Sequence, residues 1–576
     1  MSVHEPPHSA YRPAPGFGMR RLPSWRWLAE LVWRLEHAFE RAKASNRPEE
    51  DTRVRIFVIM AVFAVVFGCL ALRASWSAVF APSAVAGSAA SPHGLARADL
   101  VDRDGRLLAA NITHYGLYID PAEVWDRRSA FDQIRRALPR VSDRKLRRVL
   151  WGERRLVVLN GLTPAERRAV HALALGGVSF EPEDKRVYPL GGSGAHVIGR
   201  TDNTGSKGLS GAEKQFDAEI REAGARGAAY PISIDLRVQG VLENELARAA
   251  EEAGAKGAAG IVADVQTGEV LGMASWPADQ SLNRAAAAHY EMGSVFKSIT
   301  VAAGIDTGQA DMNTLFDASQ ALVIGNRRIK DFHAQNRIMT LEEVYIHSSN
   351  IGTSQLALDL GPERMRDYFT RFGLLDRWAL AATPRRPREW SNTTLASLSF
   401  GYGIMVTPAH MAQAMGAMVN GGRLIPLTLR RGGDPKAQPR QVISEETSVA
   451  MLDLMRRNVV RGSGTRADAP GLRVGGKTGS ANKLVGGRYD ASHAIGTFAG
   501  VFPTDGPLNA RRYSVLILID EPSSYPKTGG FVAAPAVGRI ADRIAPFVGV
   551  ERRGDRWATA DGQKIPQADD PLKATQ

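Results

Sequence analysis

The chain has 576 residues, of which 44% are hydrophobic, and a formal net charge of +13. That length exceeds one ordinary domain and implies two or three domains with tails. A single cysteine, Cys69, excludes an intramolecular disulfide. The positive charge comes without a basic block, zinc-ligand spacing or helix-turn-helix signal, so nucleic acid is not a predicted partner; an acidic polymer or a membrane surface suits it equally well.

Along the chain, Pro23 and Ser24 give a helix start, and Trp25, Leu28, Leu31, Val32, Leu35 and Phe39 then fall on one helical face. This amphipathic helix, within a tail over 1–54, suits the inner membrane face or a partner helix. Ile56 to Leu72 is free of charge and bounded by Arg55 and Arg73, which predicts a transmembrane signal anchor over 55–73. Trp76 and Phe80 offer interface anchors. Arg41, Lys43, Arg47, Arg53 and Arg55 precede the run, and only Arg73 follows closely. That bias places the N-terminus in the cytoplasm and everything after about residue 74 outside. Ala84-Val85-Ala86 has the form of a signal-peptide cleavage site, but it lies far beyond the apolar run.

Residues 74–96 are rich in Ala, Ser, Gly and Pro and read as a linker. Residues 97–230 mix strand-like runs (YGLYID, RLVVLN) with charged helical runs, an α+β pattern. From residue 231 to 550, ISID leads into an amphipathic helix, and GIVADVQTGEVLGMASW reads as a hairpin turning at Thr267-Gly268. YSVLILID is a further strand, and Val537 to Phe547 a further helix. Strands at both ends of a helical middle predict a mainly antiparallel sheet covered by helices. The tail over 551–576 is polar and expected to be disordered.

Three motifs stand in order in this last region: SVFK at Ser294 to Lys297, SSN at Ser348 to Asn350, and KTGSA at Lys477 to Ala481. As S-x-x-K, S-x-N and K-T-G they are the signature of serine acyl-transferases that react with penicillin. Each has decoys. S-x-x-K also occurs at Ser142, Ser480 and Ser524, S-x-N at Ser281 and Ser480, and K-T-G at Lys527. A serine nucleophile and a lysine base need one face of a rigid element, which i and i+3 of a helix supply. Ser294 opens an apolar, helix-like run behind Gly293; Ser142 lies in the Arg-rich SDRKLRR, and Ser524 in a proline loop. Lys477 is flanked by small residues that let a ligand approach the backbone, whereas Lys527 fits a loop beyond a strand. Ser348 and Asn350 fall at a bend between two helical runs.

With these motifs the chain resembles the class B penicillin-binding proteins, and most of all the division-specific, FtsI-type transpeptidases, over about 53–550. ADVQTGEVLGMAS, WSNTTLASLSFGYGIMVTP from Trp390, and GGFVAAPAV near Gly529 carry the likeness further. RADLVDRDGRLLA from Arg97, RVYP at Arg186 and GLSGAE ending at Glu213 are similar to the family's pedestal motifs. The family's usual proline before Gly-Ser is Met292 here, and its usual threonine after K-T-G is Ser480. Glu183 to Val187 loosely resembles a glycan-polymerase motif, with Val187 in place of Phe, and 97–230 is too short for such a domain.

The resemblance implies an α+β multidomain chain: a single N-terminal transmembrane helix, an α+β pedestal locked by the charges of Arg97 and Glu213, and a penicillin-binding transpeptidase domain. It implies peptidoglycan D,D-transpeptidation at the division septum, a weak D,D-carboxypeptidase side activity and an inner-membrane location with a periplasmic catalytic domain. The implied partners are stem peptides, β-lactams, a separate SEDS-type glycan polymerase and other division proteins; no metal or cofactor is implied. Ser294 would be the nucleophile and Lys297 its base. Ser348 would be the proton carrier, with Asn350 orienting Lys297 and the substrate amide. Lys477 and Thr478 would bind the terminal carboxylate. Gly479 and Ser480 would belong to the same substrate-binding segment, and the N–H groups of Ser294 and Ser480 would form the oxyanion hole. A membrane-anchored β-lactamase or β-lactam sensor shares the motifs, but no E-x-x-x-N follows SSN; a non-enzymatic division scaffold is the other alternative.

Overall fold

A computed structural model describes residues 33, 34, 37, 56, 59–73, 97–202 and 205–554. The chain divides into two compact units, 1–86 and 87–576. In the first, 59–73 is one helical run whose Met60, Phe63, Val65 and Phe67 side chains are exposed. Among the described residues no helix is long and apolar enough to cross a membrane. The rest of the expected span, most of the amphipathic helix, the 74–96 linker and the tail from 555 lie outside the described residues.

The second unit opens with a five-stranded sheet built around the long strand Leu107–Ile119, which pairs antiparallel with Leu156–Leu162, Val178–Val187 and Leu100–Val101. Glu183 to Val187 forms the end of one of these strands. Helices Arg127–Ala137 and Asp143–Leu150 bury Phe131, Ile134, Leu146 and Leu150 against this sheet. Ser142, a decoy serine, is used as the N-cap of the second helix, its side chain accepting from the Lys145 N–H. The expected pedestal charges meet. Glu213, with no exposed surface, accepts from Arg97 Nε at 2.9 Å and Arg186 Nε at 2.7 Å. Arg97 also donates to Asp217, and Arg186 to the Ala98 carbonyl at 2.8 Å.

From residue 236 the structure is layered. Five antiparallel strands run in the order Gly475–Val485, Arg488–Phe502, Tyr513–Asp520, Gly257–Asp264, Val270–Trp276. The last two are the predicted hairpin. Side chains alternate between faces with period two. Val515, Ile517 and Ile519 join the core under helices Leu236–Glu252 and Ala534–Val548. Leu516 and Leu518 join the core formed with helices Lys297–Asp306, Pro408–Val419 and Glu445–Arg461. This is the helix-covered antiparallel sheet that the sequence predicts. Strand Gly475–Val485 is at the edge, so one side of its backbone is left to the groups that face it.

Candidate active site

Ser294 is half-buried in a 3-10 turn, Gly293–Phe296, that runs directly into helix Lys297–Asp306. The sequence predicts a helix N-terminus there; the tighter turn serves the same end, because residues i and i+3 eclipse in a 3-10 helix. Ser294 and Lys297 therefore share a face. Gly293 adopts φ +54°, and a Cβ there would lie 2.3 Å from the Ser480 carbonyl oxygen. The nucleophile turn thus lies against the backbone of the edge strand. The same contact surface includes other glycines. A Cβ on Gly479 would meet the Met292 oxygen at 2.3 Å, on Gly401 the Gly293 oxygen at 2.2 Å, and on Gly529 the Thr497 oxygen at 2.1 Å.

The S-x-N turn joins helix Leu341–Ile346 to helix Asn350–Arg371. Ser348 sits at φ +60°, a left-handed conformation that costs a non-glycine residue energy. Its hydroxyl is shared by two amines: Lys297 Nζ at 3.1 Å and Lys477 Nζ at 3.0 Å. Lys297 Nζ also donates to the Ser348 carbonyl. Both lysines have no exposed surface. Burial, then the neighbouring Lys477 charge, push the Lys297 amine well below the usual lysine range, and Asp331 opposes them. Burial lowers Lys477 to about 7. The Tyr345 ring, with its centroid 5.6 Å from Lys477 Nζ, offers a π face to whatever charge remains.

The structure brings Lys297, Ser348, Lys477 and Thr478 into hydrogen-bond contact and lays the Ser294 turn against the backbone of Gly479 and Ser480. The Asn350 side-chain amide donates to the Lys330 carbonyl at 2.9 Å. The Ser480 hydroxyl accepts from the Gly529 N–H at 3.1 Å. The second K-T-G is thus a loop, as predicted, but one that buttresses the first; Lys527 itself points to the Ser492 carbonyl at 3.1 Å. Among the described residues no group of three or more His, Cys, Asp or Glu could hold a metal.

Two residues escape the sequence reading. Ser463, after helix Glu445–Arg461, hydrogen-bonds the Thr478 hydroxyl at 2.7 Å and is held by Asn458 Oδ1 at 3.1 Å. Asp331 accepts from Ser349 Oγ at 2.7 Å. Ser463 stands in the glycine-rich GSG ahead of K-T-G, a faint signal of close approach. Nothing in the pattern around Asp331 marks it.

Comparison with known proteins places these features. Residues 258–542 match the family model described as the penicillin binding protein transpeptidase domain, and 94–228 the penicillin-binding protein dimerisation domain. A probable peptidoglycan D,D-transpeptidase FtsI of Caulobacter vibrioides is 49% identical, over 94% of this chain and 96% of that protein. The peptidoglycan D,D-transpeptidase FtsI of Escherichia coli is 28% identical over 85% of this chain and 92% of its own. The fold is similar to a crystal structure of penicillin-binding protein 3 from Mycobacterium tuberculosis complexed with aztreonam, with a TM-score of 0.61 and 24% identity, covering 82% of this chain and 100% of that one.

Proposed function

Because the chain belongs to the penicillin-binding peptidoglycan D,D-transpeptidases of the FtsI type, we propose that it cross-links stem peptides during septal wall synthesis through an acyl-enzyme on Ser294. The observation that carries this reading is the Ser348 hydroxyl held between two buried amines, one of which, Lys297, lies one turn beyond Ser294. Lys297, kept neutral by burial and by Lys477, takes the Ser294 proton as Oγ attacks the carbonyl between two terminal D-alanines. Oγ–C forms and C–N breaks. The proton returns through Ser348 to the departing D-alanine amine. The Ser294 and Ser480 N–H groups receive the oxyanion, each donor typically worth ~10²–10³ in rate. Lys477 and Thr478 hold the terminal carboxylate, and Ser463 orients the Thr478 hydroxyl. An amine of a neighbouring stem peptide then displaces Ser294 and completes the cross-link; water in its place gives the weak carboxypeptidase reaction. A β-lactam enters by the same first step and deacylates slowly.

In the same reading, 97–230 is a non-catalytic pedestal and 231–550 the transpeptidase domain. The run at 55–73 anchors the chain in the inner membrane, with the N-terminus cytoplasmic and the catalytic domain periplasmic. A SEDS-type glycan polymerase and other division proteins are its partners.

The test is intact-mass analysis with peptide mapping after incubation with benzylpenicillin. A single stable adduct on Ser294, absent in Ser294→Ala and weakened in Lys477→Ala but not in Lys527→Ala, is expected. Label on another serine, or none, overturns the reading. Rapid release of opened drug points instead to a hydrolase.

A further inference from the structure

Between the short strands Arg327–Ile329 and Ile338–Thr340 the chain is exposed from Phe332 to Ile338. Asp331, half-buried, turns its carboxylate inward onto the start of helix Asn350–Arg371. One oxygen accepts from the Asn350 N–H at 2.5 Å and the Ile351 N–H at 3.0 Å; the other accepts from Ser349 Oγ at 2.7 Å. The Gly352 N–H goes to Ser349 Oγ at 3.0 Å. Three of the N–H groups that a helix start leaves without partners are thereby satisfied, two of them by one carboxylate from a distant segment. The adjacent Lys330 carbonyl receives the Asn350 amide.

We propose that Asp331 is a positioning residue for acyl transfer: its carboxylate fixes the turn that presents the Ser348 hydroxyl to the two lysines. The proposal rests on the acyl-enzyme reading above and adds to it a residue outside all three motifs. Ser348 holds an unfavourable φ of +60°, which persists only where the surroundings over-determine it. The residues immediately after it, Ser349 to Ile351, all bond to Asp331. A carboxylate suits the task because it has acceptor capacity for all three bonds and carries the charge a helix N-terminus favours.

Charge gives Asp331 its second effect. The charged groups that bear on Lys297 are Lys477, from the edge strand, and Asp331, from this segment. Lys477 disfavours the protonated amine and Asp331 favours it. A base stripped of too much basicity accepts a proton poorly, so Asp331 moderates what burial and Lys477 do.

The experiment measures the acylation rate of the full-length chain in detergent with a fluorescent penicillin, from about pH 5 to about pH 9. Wild type, Asp331→Asn, Asp331→Glu and Ser294→Ala are compared, with each rate normalised to the sites finally labelled so that only folded protein counts. Asp331→Asn keeps an acceptor but loses the charge. Its acid limb is expected to move to lower pH, with a plateau slowed about tenfold. Asp331→Glu keeps the charge on a longer arm; its plateau slows while its acid limb stays in place. Plateaus of both variants within about twofold of wild type overturn the proposal. If wild type shows no Ser294-dependent label, the acyl-enzyme reading itself falls and takes this proposal with it. Labelled wild type with unchanged variants removes Asp331 alone.

Discussion

In the N-terminal half of the second unit, Arg97 and Arg186 close on Glu213, and every one of these side chains is buried. In the transpeptidase half, Lys297 and Lys477 are buried just as deeply, yet what they share is a serine hydroxyl. The first cluster matches opposite charges and adds backbone acceptors, so its ions survive loss of water. The second sets two like charges together, with Asp331 opposing them at Lys297. Burial of that kind is unfavourable for stability, and it favours the neutral amine that the proposed mechanism needs. Ionisable groups that are equally buried thus serve opposite ends, and the sign of the neighbour separates them.

The comparison breaks or sharpens most sharply at the lysines. Ser294→Ala is expected to abolish penicillin acylation, a loss beyond about 10⁴-fold. Lys297→Met should cost acylation about 10²–10⁴-fold while the melting temperature holds or rises, since a buried amine is replaced by a thioether chain. A fall in melting temperature would remove the claim that this lysine is held against stability. Glu213→Ala should do the reverse. Leaving two arginines buried without their carboxylate costs about 3–5 kcal/mol, read by denaturant unfolding, whereas the folded fraction acylates at the wild-type rate. Reduced acylation per folded molecule would join the two clusters functionally.

A pH profile probes the lysine pair more gently. Lys297 must lose its proton to act, so the acylation constant rises from acid pH. Lys477, lowered to about 7 by burial, is charged mainly below that pH, and in the proposed mechanism that charge holds the drug carboxylate. The second-order constant should therefore be bell-shaped, falling above about pH 7; a monotonic rise into alkali would remove Lys477 from carboxylate binding. The smallest effect is expected from Ser463→Ala, which deletes one hydroxyl partner of Thr478. Acylation should drop about 2–10-fold, and no change would make Ser463 a bystander.

What could be read from sequence follows the same physics. Ser294, Lys297, Ser348 and Lys477 were legible because acyl transfer restricts which side chains can stand there and at what spacing. The hairpin was legible from its Thr267-Gly268 turn between apolar runs, and YSVLILID from its unbroken apolar run, which the structure buries throughout. Asp331 and Ser463 were not, because each reaches the site through a contact that only tertiary packing creates, Ser349 and Thr478 being their partners. Asn350 stands in the motif with an expected orienting role toward Lys297, and the contact its amide makes, to the Lys330 carbonyl, is likewise one that packing supplies. The second K-T-G reads as an idle loop until the Gly529 N–H is seen on Ser480.

The glycines around the nucleophile turn also constrain evolution. At 293, 401, 479 and 529 the first carbon of any side chain would lie 2.1–2.3 Å from a backbone oxygen, a distance that no rotamer can relieve. Mutations that lower affinity for a β-lactam cannot accumulate on this wall without dismantling it. Drug resistance acquired by substitution is thereby channelled toward positions with free space, such as Phe332 to Arg337 and the exposed hairpin tip at Leu484 to Tyr489, and surveillance of variants is best concentrated there.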